Sequence, residues 1–141
     1  MISDINIILR LIVATILSAV IGFEREKMKK PAGLRTYMLV CLGSCLITIV
    51  SMSFGEDPAR IASNIITGVG FLGAGVIIAQ GANVIGVTTA ASLWAVSAVG
   101  LCVGIGEYLL AIITTLLIYI ILKLKRYEEI YESFGEKAKE D

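Results

Sequence analysis

The chain consists almost entirely of apolar stretches long enough to cross a lipid bilayer, separated by short polar breaks. Five such stretches cover residues 6–23, 36–54, 60–79, 87–103 and 107–122. A transmembrane helix needs roughly 20 predominantly apolar residues at a rise of about 1.5 Å each. Because 57% of all residues are hydrophobic, little sequence is left for anything else. We therefore predict an all-α polytopic membrane protein, a bundle of five transmembrane helices.

The domain organisation follows from how little of the chain lies outside these stretches. Residues 1–123 are predicted to form the five-helix transmembrane domain, and residues 124–141 a short amphipathic cytoplasmic tail. The tail is far below the roughly 50 residues that an independent domain usually needs. Tyr127, Ile130, Tyr131 and Phe134 recur there at helical spacing, so we expect an extension of the fifth helix with one apolar face.

The distribution of basic residues predicts the orientation in the membrane. Of twelve Lys and Arg residues, five lie between positions 25 and 35 and five between position 123 and the end. Basic residues in short loops favour the cytoplasmic side, whereas the break around residues 56–57 is acidic. An odd number of spans then places the N-terminus outside and the C-terminus in the cytoplasm.

The polar residues argue against an enzyme. The chain has no histidine, which removes the commonest general base and the imidazole metal ligands. Cys41, Cys45 and Cys102 all fall inside predicted spans at a spacing that fits no metal or redox motif. We expect no catalytic residues, no cofactor and no nucleic-acid partner, and the sequence leaves open whether any metal binds.

Glycines are concentrated in the third and fourth stretches. Gly68, Gly70, Gly73 and Gly75 formally match a dinucleotide-binding fingerprint, but that motif requires a preceding strand and a βαβ unit. Two interpretations remain: a close-packing helix face, or a broken helix whose freed carbonyl groups line a polar path. The GxxxG pair Gly100 and Gly104 is interpreted as a packing motif.

Polar and charged residues from the end of the first stretch to the start of the second are candidates for a functional site. The candidates in this segment are Glu24, Arg25, Glu26, Arg35 and Thr36. A carboxylate and a guanidinium at the two ends of one short loop, Glu24 and Arg35, could pair at two points and close the loop. The alternative is a set of ordinary solvated charges at headgroup level.

Two further groups of polar residues are candidates. Asp57, Arg60 and Asn64 fall in the first turns of the third stretch, and Thr88, Thr89 and Ser92 begin the fourth. Asp57-Pro58 is typical of an N-cap followed by proline at the first helical position, and Thr88 or Thr89 could cap the fourth helix. Arg10, two turns into the first stretch, is expected to extend toward the outer surface.

Several of these segments together resemble the MgtC/SapB family. The segments that carry the resemblance, in chain order, are residues 22–26 (GFERE), 30–36 (KPAGLRT), 57–62 (DPARIA), 68–77 (GVGFLGAGVI) and 86–94 (GVTTAASLW). The resemblance runs from about residue 20 to residue 115. It implies a multi-pass bacterial inner-membrane protein linked to growth under Mg²⁺ limitation. Family members are linked to restraint of the F-type ATP synthase.

The resemblance covers the membrane part of the family. Longer members continue into a soluble ACT-like domain, and we expect the sequence ending at Asp141 to represent the short, SapB-like form. The lipid bilayer, the membrane sector of the ATP synthase and a second copy of the chain are the expected partners.

Three hypotheses for the function remain open at this point. The first is a non-enzymatic regulator that contacts a larger membrane complex through its glycine-rich helix faces. The second is an oligomeric transporter or channel for a Mg²⁺-linked ion, because five short spans can hardly enclose a pore alone. The third is a structural membrane subunit whose polar groups only hold the bundle together.

Overall fold

The predicted helical architecture is confirmed by the structure. A computed structural model describes the backbone of residues 3–54, 57–80 and 83–140, with side chains for all of these except 58, 61, 79, 80, 83 and 125–140. The elements in this part of the chain are α1 (Asp4–Lys27), α2 (Leu34–Ser51), α3 (Pro58–Val76), β1 (Ile78–Gln80), β2 (Asn83–Ile85), α4 (Val87–Ile105) and α5 (Tyr108–Glu140).

Three of the helices are long and apolar enough to cross a membrane by length and composition, namely α1, α2 and α4. The other two carry shorter apolar stretches, Ala62–Val76 in α3 and Tyr108–Leu124 in α5. Large aliphatic side chains cover the outside of the bundle, and Ile8, Ile16, Leu109 and Leu116 are each more than half exposed. Such a surface is unfavourable in water and well solvated by lipid.

Helix α4 lies at the centre of the bundle. Its side chains Leu93, Val96, Val99 and Val103 are almost completely buried. Tyr37 contacts Ser92 near the start of both α2 and α4, and later residues of the two helices also meet, so α2 runs parallel to α4. Helix α1 runs antiparallel to α4, while α3 and α5 pack on its remaining sides.

Small residues allow α2 and α4 to approach closely. A Cβ atom added at Gly104 would lie 2.6 Å from Thr48 Cβ, and one at Gly100 would overlap the carbonyl group of Cys41. The facing residues of α2 are themselves small: Cys41, Ser44, Cys45 and Thr48 are buried. The two cysteines are free thiols and serve here as small packing residues.

A short hairpin between α3 and α4 departs from the predicted boundaries. The third apolar stretch was expected to remain helical to residue 79, but α3 ends at Val76 and Ile78–Gln80 pairs antiparallel with Asn83–Ile85. Gly86 then has φ +95°, and a Cβ atom there would collide with the carbonyl of Val76. Only glycine fits this left-handed and crowded position, so Gly86 brings the chain back beside the end of α3 before α4 begins.

The predicted helix ends are partly confirmed. Asp57 Oδ1 accepts a hydrogen bond from the Arg60 N–H at 3.1 Å, and Pro58 is the first residue of α3, as the sequence predicts. Neither Thr88 nor Thr89 caps α4, because Gly86 occupies that position. Helix α5 continues to Glu140, while the predicted apolar face of residues 124–141 depends on side chains that, beyond Leu124, are outside the described part.

Candidate functional site

A buried guanidinium joins α1 to α4 at the hairpin end of the bundle. Arg25 lies in the last turn of α1 and is only 4% exposed. Its Nη2 donates a hydrogen bond to Thr89 Oγ1 in the first turn of α4 at 2.8 Å. A charged donor raises the strength of such a bond to about 1.5–3 kcal/mol. Arg25 and Thr89, both predicted as candidates, therefore belong to one site.

A cavity of about 550 Å³ lies beside this bond. Glu24, Arg25, Thr88 and Thr89 all line it, together with Gly86 at the start of α4. The cavity wall also contains residues that were not among the predicted candidates. Met28, Lys30 and Pro31 are three of them, and their position depends on how α1 meets α4. The structure thus combines residues from two separate candidate groups into one site.

The loop after α1 is closed by Glu26 rather than by Glu24 and Arg35. Glu26 Oε2 accepts a hydrogen bond at 2.8 Å from the Leu34 N–H, the first amide of α2. Glu24 Oε2 is buried without a hydrogen-bond partner among the described residues, which excludes the two-point pairing with Arg35. Arg35 and Thr36 are exposed on the first turn of α2 and lie outside the cavity.

Tyr37 is a buried polar residue that the sequence analysis did not single out. Its side chain is fully buried, and its hydroxyl forms a hydrogen bond of 2.5 Å with Ser92 Oγ. Ser92 also donates to the carbonyl oxygen of Thr89, so Ser92 connects Tyr37 with the Arg25–Thr89 bond. A tyrosine inside an apolar stretch needs a partner for its hydroxyl, and that requirement is the signal that could have identified it.

The opposite end of α4 is held by a second arginine of α1. Arg10 Nη1 donates to the Gly104 carbonyl oxygen at 2.5 Å, one of the last carbonyls of the helix, which lack partners within α4. A cation is also favourable at this end of the helix dipole. Arg10 thus binds a helix terminus, whereas its position in the first apolar stretch predicts only an extension toward the outer surface.

The glycines of α3 do not form a single packing face within the chain. Gly73 faces Ala90 of α4, where an added Cβ would lie 3.3 Å from the Ala90 Cβ. Gly68, Gly70 and Gly75 have nothing within 4 Å of an added Cβ. Three of the four glycines are therefore accessible to an external partner.

A second cavity of about 560 Å³ forms a groove between α2 and α3. Gly43 and Gly68 lie on its two sides, and both are open to it. Asn64 contributes an amide to a wall that is otherwise made mostly of Leu, Ile and Val side chains. Arg60, one turn before Asn64, is exposed and is not part of the groove wall.

Metal-binding chemistry has little support within the described residues. No group of three or more His, Cys, Asp or Glu side chains comes together in that part of the chain. The charged cavity contains one carboxylate, Glu24, beside Arg25 and Lys30. This arrangement is unlike the oxygen-rich sites that divalent cations prefer.

The apolar exterior and the helices of membrane-spanning length define a helical membrane protein. The sequence profile of the MgtC family matches residues 11–130. The chain belongs to this family.

Curated relatives agree with this assignment. Protein MgtC of Salmonella typhimurium (strain LT2) is 45% identical over 112 residues, which cover 79% of this chain and 48% of that protein. Protein SapB of Bacillus subtilis (strain 168) is 41% identical over 128 residues, covering 83% of this chain and 55% of SapB. YhiD of Escherichia coli (strain K12), named as a candidate magnesium transporter, is 42% identical over 127 residues, covering 83% and 59%.

The chain spans between 48% and 59% of the length of these relatives. No solved structure matches it.

Proposed function

We propose that the protein is a non-enzymatic regulator of the bacterial inner membrane, linked to adaptation to Mg²⁺ limitation. It acts by helix contact with a larger membrane complex, for which the F-type ATP synthase is the leading candidate. The observation that carries the proposal is the groove between α2 and α3. Each of its two walls contains a glycine, Gly43 or Gly68, with open space in front of it. Membership of the MgtC family supports the link to magnesium.

The groove has the properties of a site for a transmembrane helix. Small residues let two helices approach closely in lipid, where packing and hydrogen bonds drive association. Gly43 and Gly68 supply the space, and Asn64 supplies an amide for one hydrogen bond across the contact. The hydroxyl of Ser44, which also lines the groove, already donates to the Val40 carbonyl of its own helix, so its proton is used within α2.

The proposal includes a topology in which all five helices cross the inner membrane. The apolar parts of α3 and α5 add two spans to the three long ones. The hairpin and Arg25 then lie at the cytoplasmic side, with the N-terminus outside. A reporter fused to residue 141 that is active only on the outer side would contradict this orientation.

The test is ATP-driven proton pumping in inverted membrane vesicles, with and without the expressed protein. One trace gives both the initial pumping rate and the decay of the gradient after ATP is exhausted. A regulator lowers the initial rate and leaves the decay unchanged. If neither quantity changes, the ATP synthase is not the target.

Glycine variants connect this measurement to the groove. Gly68→Leu should abolish the effect and the co-purification of the partner, because its side chain would fill the groove. Gly75→Leu is the matched control, since Gly75 is equally open but does not line the groove. If the Gly68→Leu protein still inhibits pumping at equal expression, the groove is not the contact.

An oligomeric ion transporter or channel is the alternative. It is favoured by the name of the YhiD relative and by the polar side chains at the hairpin end of the core, Arg25, Tyr37, Thr89 and Ser92. Purified protein in liposomes should then conduct ions, and Asn64→Leu should reduce the flux. A faster decay of the proton gradient in the vesicle experiment would also support this alternative.

A further inference from the structure

Two buried side-chain atoms of opposite charge, on neighbouring residues that both line one cavity, lack a hydrogen-bond partner in the described part of the chain. Arg25 uses Nη2 to bind Thr89, but its Nε is buried and has no hydrogen-bond partner there. The same holds for Oε2 of the neighbouring Glu24. Both residues line the cavity of about 550 Å³ at the hairpin end. Buried charged groups are normally hydrogen-bonded, so the guanidinium and the carboxylate beside the cavity retain hydrogen-bonding capacity for a ligand.

The basic side of the cavity fits a phosphate group. Helix α4 has 19 residues, and its first amides, from Val87 to Thr89, lack partners within the helix and carry the positive end of its dipole. Such a terminus binds phosphate oxygens readily. Arg25, 4% exposed, adds a fixed guanidinium, and Lys30 adds a second cation.

Glu24 determines which kind of phosphate compound fits. A ligand that carries only negative charge would leave the Glu24 oxygen unpaired and would be repelled by it. A ligand that carries only positive charge would leave Arg25 unpaired and be repelled in the same way. A ligand with a phosphate and an ammonium group close together satisfies both residues, because its N–H groups donate to the carboxylate.

The wall of the cavity indicates that this ligand is a lipid. Ile121 and Leu122 of α5 and Val84, Ile85 and Val87 near the hairpin line it. Ile121 is 61% exposed on the outside of the bundle, so the cavity borders the surface that we assign to the lipid. A headgroup can therefore enter while its acyl chains remain along α5.

We propose that the cavity formed by Glu24, Arg25 and the start of α4 is a binding site for the phosphoethanolamine headgroup of a membrane lipid. The phosphate binds to Arg25 and the first amides of α4, and the ammonium group binds to Glu24. The site lies at the hairpin end of α4 and shares no lining residue with the groove between α2 and α3. Its occupant is thus independent of the partner complex.

The test compares lipids that differ only in the headgroup, added to the purified full chain in detergent, with binding followed by native mass spectrometry. Phosphatidylethanolamine should bind at least tenfold more tightly than phosphatidylglycerol, which lacks the ammonium group, and phosphatidylcholine, whose ammonium has no N–H. Soluble glycerophosphoethanolamine and inorganic phosphate test for a water-soluble ligand. If either binds as tightly as the lipid, the lipid assignment is wrong.

Three variants test whether Glu24 binds the ammonium group and Arg25 binds the phosphate. Glu24→Gln should remove most of the preference for phosphatidylethanolamine over phosphatidylglycerol, and Arg25→Gln should weaken both lipids at least tenfold. Arg35→Gln is the matched control, an exposed arginine at the same end of the bundle, and should change neither. Unfolding is measured without added lipid in parallel, and Glu24→Gln keeps the test valid if Arg25→Gln does not fold.

Other outcomes would overturn the proposal. Equal or tighter binding of phosphatidylglycerol, with no change in Glu24→Gln, would show attraction of any anionic lipid to the basic end. Equal losses in Arg25→Gln and Arg35→Gln would show the same surface effect. A headgroup preference that Glu24→Gln leaves intact would place the ammonium elsewhere.

Discussion

Arg25 of α1 and Thr89 of α4 are joined by a 2.8 Å hydrogen bond, and Arg10 of α1 binds the Gly104 carbonyl at the other end of α4. Arg25 lies fifteen positions after Arg10, and Gly104 lies fifteen positions after Thr89. The two antiparallel helices are therefore held in register at both ends of a segment about 22 Å long.

Thr89→Val should destabilise the protein by about 1.5–3 kcal/mol, because the buried Arg25 Nη2 loses its acceptor while the volume hardly changes. The measurement is equilibrium unfolding in detergent. Thr88→Val is the control, since Thr88 is exposed and should change the free energy of unfolding by less than about 0.5 kcal/mol. Equal effects of the two substitutions would mean that the hydrogen bond contributes nothing.

Gly104→Ala should destabilise the bundle by about 1–3 kcal/mol through overpacking, since the new methyl group would lie 2.6 Å from Thr48 Cβ. Gly75→Ala, in open space, should be neutral or stabilising by up to about 1 kcal/mol. Thermal unfolding of the two variants in the same detergent checks this. A stable Gly104→Ala protein would contradict the close packing of α2 on α4.

Gly86→Ala should destabilise the connection between the hairpin and α4 by at least about 1–2 kcal/mol from the left-handed backbone alone. The collision with the Val76 carbonyl adds to this cost. Hydrogen exchange should show faster exchange at the first turn of α4. Gly43→Ala, with nothing within 4 Å, is the control and should leave the exchange rates at α4 unchanged.

Asp57→Ala should cost about 0.5–2 kcal/mol, the usual effect of losing a helix N-cap, because the Arg60 amide loses its acceptor. Asp57→Asn should retain nearly all of the stability, since asparagine caps as well. Unfolding of both variants in detergent distinguishes the hydrogen bond from the charge. If the two variants lose the same amount, the carboxylate charge is what stabilises α3.

Local features of the fold could be predicted from the sequence. The lengths of the apolar stretches predicted the helices, and Asp57-Pro58 predicted the start of α3. Both features depend only on residues that are close together in the sequence. The hairpin escaped prediction because Ile78 and Ala79 continue the apolar pattern of α3, and the reversal depends on Gly86 meeting Val76.

The site was only partly predictable for a different reason. Glu24, Arg25, Thr88 and Thr89 were identified as candidates, but their proximity depends on how α1 packs against α4. Likewise, the spacing of Gly73 and Gly68 does not reveal that one faces Ala90 while the other borders an open groove. Contacts between distant helices are set by tertiary packing, which single-sequence patterns do not encode.

The long separation between Arg25 and Thr89 also affects biosynthesis. Arg25 leaves the ribosome 64 residues before its acceptor, a delay of roughly 3 to 13 s at ordinary translation rates. During that time α1 and α2 exist without α4, and the guanidinium must be solvated by water or lipid headgroups at the membrane surface. The completion of α4 therefore sets the moment at which the bundle can close.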